Sequence, residues 1–194
     1  MISEALQNRG IGAPTRTVAP STFPVTPQEA MDELDIIDDP EAATRILNKL
    51  IQAVDMVERD SRRCLMPQTW QMVLDGFPCG EIEIRKVPVT AVSFVKYYTG
   101  GVLTTWSSSN YQTDLVSEPA RITPVPGVYW PATDCERMNA VQIEWAAGYA
   151  SAAMVPPAAK MAVLMAVKHL YYGCEVGSNY WSAISRLQPF GFIQ

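Results

Sequence analysis

Glu81 and Glu83 are the residues of this sequence best spaced for acid–base or metal chemistry. They stand two apart in the run EIEIR, so a strand would put both carboxylates on one face, with Asp75 close by in the chain. Such a pair can pass a proton or hold a divalent cation. Glutamates alternating with Ile82 and Ile84 are equally the pattern of a half-exposed strand, which is the simpler account. The one histidine, His169, would have to carry any Ser-His-Asp chemistry, and no GxSxG elbow accompanies it. Near Tyr171 and Tyr172 on an apolar helix, it reads as a packed or interface residue. Cys64, Cys79, Cys135 and Cys174 are scattered, with no CxxC pair and no histidine near enough for a zinc pattern, so they read as reduced thiols. No catalytic residue, metal ligand or cofactor site is expected. Tyr97, Tyr98, Trp106, Tyr111, Tyr129 and Trp130 could form a platform for a sugar or a base, although aromatics are favoured in strands for packing alone.

Composition narrows the classes further. The chain has 194 residues, 48% of them hydrophobic and 18% charged, and its fifteen prolines outnumber eleven glycines, which suggests stiff loops and extended arms. A net charge of −5 argues against a protein that grips nucleic acid, since phosphate contact needs clustered Lys and Arg. It does not exclude a surface past which DNA slides. No apolar run approaches the roughly 18 residues of a membrane span, and the N-terminal MISEALQNRG lacks the order of a signal peptide, so the expected site of synthesis is a cytosol and no membrane partner is expected.

The elements that must position these residues follow from periodicity. Residues 1–25 show no helical or alternating period and read as a flexible arm. Thr26-Pro27-Gln28-Glu29 is a capping box with Pro at the first helical position, opening a short helix to about Leu34. Seven acidic residues and no basic ones lie from Glu29 to Glu41, either a solvated face or a contact for a basic partner. Asp39-Pro40-Glu41 repeats the cap grammar for a helix over 40–63, with Ile46, Leu47, Leu50, Ile51, Val54 and Val57 as one apolar face. Arg59, Arg62 and Arg63 close it, where cations meet the negative end of the helix dipole.

From residue 69 the period changes to two, and about seven short strands are predicted over 69–74, 81–85, 89–98, 102–106, 110–113, 120–123 and 140–147, with Thr99-Gly100-Gly101 as a hairpin turn. Val155-Pro156-Pro157 then opens a helix ending at Gly173 as a glycine cap. Its residues are apolar nearly all round, so it must be buried in a core or against another subunit. That makes Met161, Met165, His169 and Tyr172 candidates for a subunit interface. Ser178-Asn179 can cap a last helix over 180–187. The aromatic ending with Tyr180, Trp181, Ile184, Leu187, Phe190, Phe192 and Ile193 is either an interface anchor or a tail folded on its own core.

The fold class expected is therefore α+β. A helical core, formed by a long amphipathic helix and an apolar C-terminal helix, carries an inserted antiparallel β block. The divisions are an arm at 1–25, core helices at 26–67, the β domain at 68–148, the apolar helix at 149–177 and a docking helix and tail at 178–194.

The order of these signals resembles the head-tail connector, or neck adaptor, proteins of tailed bacteriophages. The resemblance rests on Val25-Thr26-Pro27-Gln28-Glu29-Ala30, the amphipathic helix with its arginine end, Gln68-Thr69-Trp70, Ala120-Arg121-Ile122, Pro126-Gly127, Trp130-Pro131, Ala140-Val141-Gln142-Ile143, Ala147-Gly148-Tyr149, Val155-Pro156 and His169-Leu170-Tyr171. It covers residues 25–187. It implies a non-enzymatic virion protein that assembles with itself as a twelvefold ring beneath the portal protein. The far side of the ring would face a stopper or tail-completion protein, and a channel would let DNA pass without sequence-specific binding. Family members seat on the portal through C-terminal segments, which here implies Tyr180, Trp181, Ile184, Arg186, Leu187, Pro189 and Phe190. Relatives commonly end in a more basic, leucine-rich segment, whereas Arg186 is the only basic residue here. The alternative class is an oligomeric module that binds carbohydrate or protein through the aromatics of the β domain. Truncation after Gly177 is expected to leave a folded chain that no longer joins its complex.

Overall fold

The computed structural model describes residues 12–36, 40–134 and 136–188. The chain is α+β and divides into two compact units, Met1–Ala19 with Gln68–Ala147, and Pro20–Pro67 with Gly148–Gln194. The first is built of strands and the second of helices.

In the β unit, β1 (Thr15–Val18), β2 (Gln68–Leu74), β4 (Val89–Thr99), β5 (Val102–Trp106) and β8 (Val141–Ala147) form an antiparallel sheet in the order β1-β2-β8-β4-β5. A second sheet orders β3 (Ile82–Ile84), β7 (Ala120–Pro124) and β6 (Tyr111–Asp114) as β3-β7-β6. Period-two alternation decides which side is buried. Val141, Ile143, Trp145 and Ala147 of β8 are buried while the residues between them are half-exposed, and Ile82, Ile84 and Ile122 line the buried side of the smaller sheet. The β4–β5 turn has Gly100 at φ 58° and Gly101 at φ 78°, the doubly left-handed geometry of a tight hairpin that a side chain would strain. Both carboxylate oxygens of Asp134 accept from that turn, at 2.7 Å from the Gly100 amide and 2.9 Å from the Gly101 amide.

The strand β1 is a departure from the flexible arm expected over residues 1–25. Residues 1–11 lie outside the described residues, but Thr15, Arg16 and Val18 pair with Gln71, Trp70 and Thr69. The signal was short: β-branched residues around one arginine, too few for a period, which become a strand because β2 has an edge to offer. Further along the arm, Val25 is buried in the helical core and Phe23 packs against it.

The helical unit holds α1 (Pro27–Glu33), α2 (Pro40–Ser61), α3 (Pro157–Tyr172) and α4 (Ser178–Leu187). The capping box forms: the Glu29 amide donates to Thr26 Oγ1 at 3.1 Å and the Thr26 amide donates to Glu29 Oε2 at 2.6 Å. The Thr26 amide and hydroxyl, both donating to Glu29 Oε2, hold the Glu29 carboxyl below its usual pKa. The Asp39 cap expected for α2 lies outside the described residues. On α2, Ile46, Leu50, Val54 and Val57 are buried with Ala42 and Ala53, each large side chain contributing roughly 1.5–3 kcal/mol. Leu47 and Ile51, expected on the same face, are 37% and 50% exposed. The buried stripe is filled on its other flank by alanines, and this leaves the two larger residues outside.

Several polar contacts close the helical unit. Glu58 is buried and accepts from the Leu65 amide at 2.7 Å, while Ser61 Oγ donates to the Val57 carbonyl at 2.6 Å. A Cβ on Gly148, at φ 114°, would stand 2.1 Å from the Met66 carbonyl oxygen, so the entry to the second half of the unit requires glycine. The chain leaves α3 through Gly173 at φ 68°, whose amide donates to the His169 carbonyl at 2.9 Å. The N-cap of α4 is Gly177, without the side-chain cap expected from Ser178 and Asn179.

Candidate assembly surfaces

Of the carboxylates that invited an enzymatic reading, Glu81 and Glu83 are held by arginines and Asp75 by a backbone amide. Asp114 accepts from Arg121 Nη2 at 2.7 Å, and Glu81 accepts from Arg121 Nη1 at 3.3 Å. Glu83 accepts from Arg85 Nη2 at 2.9 Å, and Asp75 takes the Asn139 amide at 2.8 Å. Hydrogen bonds from Ser117, and then from Arg121, hold the Asp114 carboxyl far below its usual range. A hollow of about 340 Å³ is lined by Glu81, Gln112, Thr113, Asp114, Arg121 and Thr123. Among the described residues no group of three or more His, Cys, Asp or Glu could hold a metal ion. His169 Nδ1 meets the carbonyl oxygen of Cys174 just beyond the helix end.

The aromatic residues of the β unit gather around one that sequence reasoning passed over, Phe77 in a turn-rich loop. Its ring stacks on Trp130 at 4.7 Å and meets Tyr97 at 5.9 Å and Trp106 at 6.0 Å, while Trp106 lies 5.4 Å from Tyr111. Trp130 Nε1 donates to the Gly80 carbonyl at 2.8 Å. These rings spend their faces on one another. Tyr98 lies outside that set, with the Arg137 guanidinium 3.5 Å from its ring centre, and Tyr129 stands 88% exposed.

The expected partner-docking residues of the C-terminus divide sharply. Tyr180, Ile184 and Leu187, implied by the resemblance as portal-facing, are buried in the core of their own unit. They recur at three- and four-residue steps and form the apolar stripe of α4, so burial against α3 and α2 satisfies them within one chain. The Tyr180 hydroxyl donates to Asp60 Oδ2 at 2.7 Å. Burial, reinforced by Asp60, raises the pKa of Tyr180. Arg63, expected to be a solvated helix-end cation, donates from Nε to the Leu187 carbonyl and from Nη1 to the Tyr149 hydroxyl at 3.4 Å. It thereby ties α4 down. Truncation after Gly177 would remove four residues buried in that core, Tyr180, Ala183, Ile184 and Leu187. Trp181, 53% exposed, and Arg186 face outward, and Pro189 and Phe190 lie outside the described residues.

The candidate subunit-interface residues of α3 lie on its outer side. Its buried stripe is Ala159, Ala162, Val163, Ala166 and Val167. Met161 is 52% and Tyr172 56% exposed, with Met165 and His169 half-buried between them at helical spacing. Tyr172 keeps its hydroxyl on the Leu34 carbonyl at 3.1 Å and presents the ring. No described helix is long and apolar enough to cross a membrane.

Solved structures carry the same arrangement across nearly the whole chain. A chain in the virion of a native gene transfer agent particle matches at a TM-score of 0.78 and 17% identity, covering 94% of this chain and 98% of that one. This chain shares its fold. A chain from the neck of an empty gene transfer agent particle, computed with C6 symmetry, matches at 0.76 and 18% identity over 94% and 98%. Another, from the neck of the native particle computed with C12 symmetry, matches at 0.66 and 17% over 91% and 97%. No family model matches the sequence, and no curated protein matches it.

Proposed function

We propose that this chain is a non-enzymatic structural subunit of the neck of a phage or phage-like particle. In this reading it is a head-tail connector that closes into a twelvefold ring between the portal protein and a stopper or tail-completion protein. The observation that carries the reading is the end-to-end likeness to chains of necks solved with sixfold and twelvefold symmetry, with almost no residue left over on either side. Two features of the chain support it. Large apolar side chains, Met161 and Tyr172 among them, remain on the outside of an otherwise well-filled helical unit, as a second copy would require. The net charge of −5 suits the wall of a duct, because a surface short of clustered cations does not hold phosphate. On this reading Trp181 and Arg186, with Pro189 and Phe190 beyond them, face the portal.

The test is the mass and shape of the purified chain, alone and with its portal ring, by light scattering and electron microscopy. A twelvefold ring in either preparation supports the proposal. A compact monomer that leaves the portal bare overturns it.

A further inference from the structure

Among the described residues, four strands stand at the ends of the two sheets, and one of them differs from the rest. At the ends of the smaller sheet, β3 has only three residues and is flanked by charged Glu81 and Arg85 with Glu83 inside it, and β6 ends in Asp114. In the larger sheet, β1 carries Arg16 and a register shift between Arg16 and Val18. The charges and short length of the two edges of the smaller sheet are the ordinary means by which an edge avoids pairing with another chain. The β5 strand, Val-Leu-Thr-Thr-Trp, has no charge, no proline and no register shift, and exposes Val102 at 63% and Leu103 at 37%.

Its backbone is set for a partner. A two-residue loop makes Thr99 and Val102 a hydrogen-bonded pair, and pairs then alternate along the ladder. Tyr97 with Thr104 and Val95 with Trp106 therefore exchange bonds, while Leu103 and Thr105 turn their N–H and C=O groups away from β4. β5 is the last strand in the sheet order, and among the described residues no turn or loop bond reaches Leu103 or Thr105.

We infer that in the ring β5 of one copy pairs edge to edge with β1 of the next, joining the five-stranded sheets head to tail. This rests on the ring reading above and names the contact that closes it. β1 is the opposite end of the same sheet, its four residues are all exposed, and it is one residue shorter than β5. Pairing β5 with β5 would make a two-fold dimer and leave β1 open in every copy. A cyclic ring needs one surface set against a different one, and only closure then uses up both edges.

Proline provides the test, because on an edge strand it is tolerated where the N–H points outward. Thr105→Pro and, separately, the gatekeeper Leu103→Lys are compared with wild type by circular dichroism, thermal melting and mass measurement, alone and on the portal. The expected result is a folded chain with an unchanged melting profile that no longer forms the ring. Mixed with wild type, such a chain still offers β1 and so poisons closure, making ring yield fall far more steeply than the wild-type fraction. If Thr105→Pro unfolds, Leu103→Lys decides alone. Intact rings of a folded variant overturn the edge pairing and leave the connector reading standing. A wild-type chain that never forms a ring overturns both.

Discussion

The two C-terminal helices make opposite use of their large hydrophobic residues. α3 buries small residues, Ala159, Ala162, Val163, Ala166 and Val167, and keeps Met161 and Tyr172 largely outside. α4 buries its large ones, Tyr180, Ile184 and Leu187, and keeps only Trp181 out. Small residues of α3 fill the centre of the bundle against α2 and α4, while its bulkier Leu164, Met165, Leu170 and Tyr171 pack half-buried at the margin of that core. The helix that looks like a core element thus offers a free apolar surface, and the helix that looks like a docking tail is core. Total hydrophobicity says how much area must be covered; where the large side chains fall on the helix says what covers it.

Substitutions can break this comparison, the largest effect coming from α4. Tyr180→Ala removes a fully buried ring and the donor to Asp60, and should cost about 3–5 kcal/mol in denaturant unfolding. A loss under about 1 kcal/mol would mean that α4 is not core. Arg63→Met keeps the stem but leaves the Leu187 carbonyl without the guanidinium; a loss of about 1–3 kcal/mol, with faster proteolysis after Gly177, is expected. Unchanged cleavage kinetics would show that apolar packing alone seats the helix.

A finer test is alkaline stability. Tyr180 has its pKa raised above the usual 10.0 by burial and by Asp60, so the folded chain holds that proton more tightly than the unfolded one. Its contribution is complete below pH 10.0 and is lost as pH climbs from there toward the raised value. Tyr180→Phe should flatten the alkaline limb of the stability profile, and an unaltered limb would place the titration elsewhere. The smallest stability effects belong to the outer residues. Met161→Ser and Trp181→Ser should each shift stability by less than about 0.5 kcal/mol. Met161→Ser should reduce ring yield and Trp181→Ser portal binding. A large loss of stability from either would move that residue into the core.

Much of the local structure was legible from residue types. The capping box at Thr26 and Glu29, the left-handed stop at Gly173, the hairpin at Gly100-Gly101 and the alternation of β8 each rest on contacts within a few residues, which sequence spacing reports directly. The strand β1 was not legible because four residues give no period; its partner β2 lies about fifty residues away and decides its state. Leu47 and Ile51 fit an apolar helical face as well as Ala42 and Ala53 do, and only the position of α3 selects among them. Phe77, isolated in a loop, joins Trp106 and Trp130 through the pairing of distant strands. Arg63 reads as a helix-end cation until α4 brings the Leu187 carbonyl to it.

By itself, the sequence determined the α+β class, the order and approximate ends of most elements, and the presence of more apolar surface than a helix of this kind can bury by itself. Those properties depend on backbone preference and on periodicity along one chain. Which apolar residues turn inward, which strand edge stays open and which cations meet distant carbonyls were decided by tertiary structure. They depend on packing volume and on pairing between segments far apart in the chain, and neither quantity is carried by any stretch of residues alone.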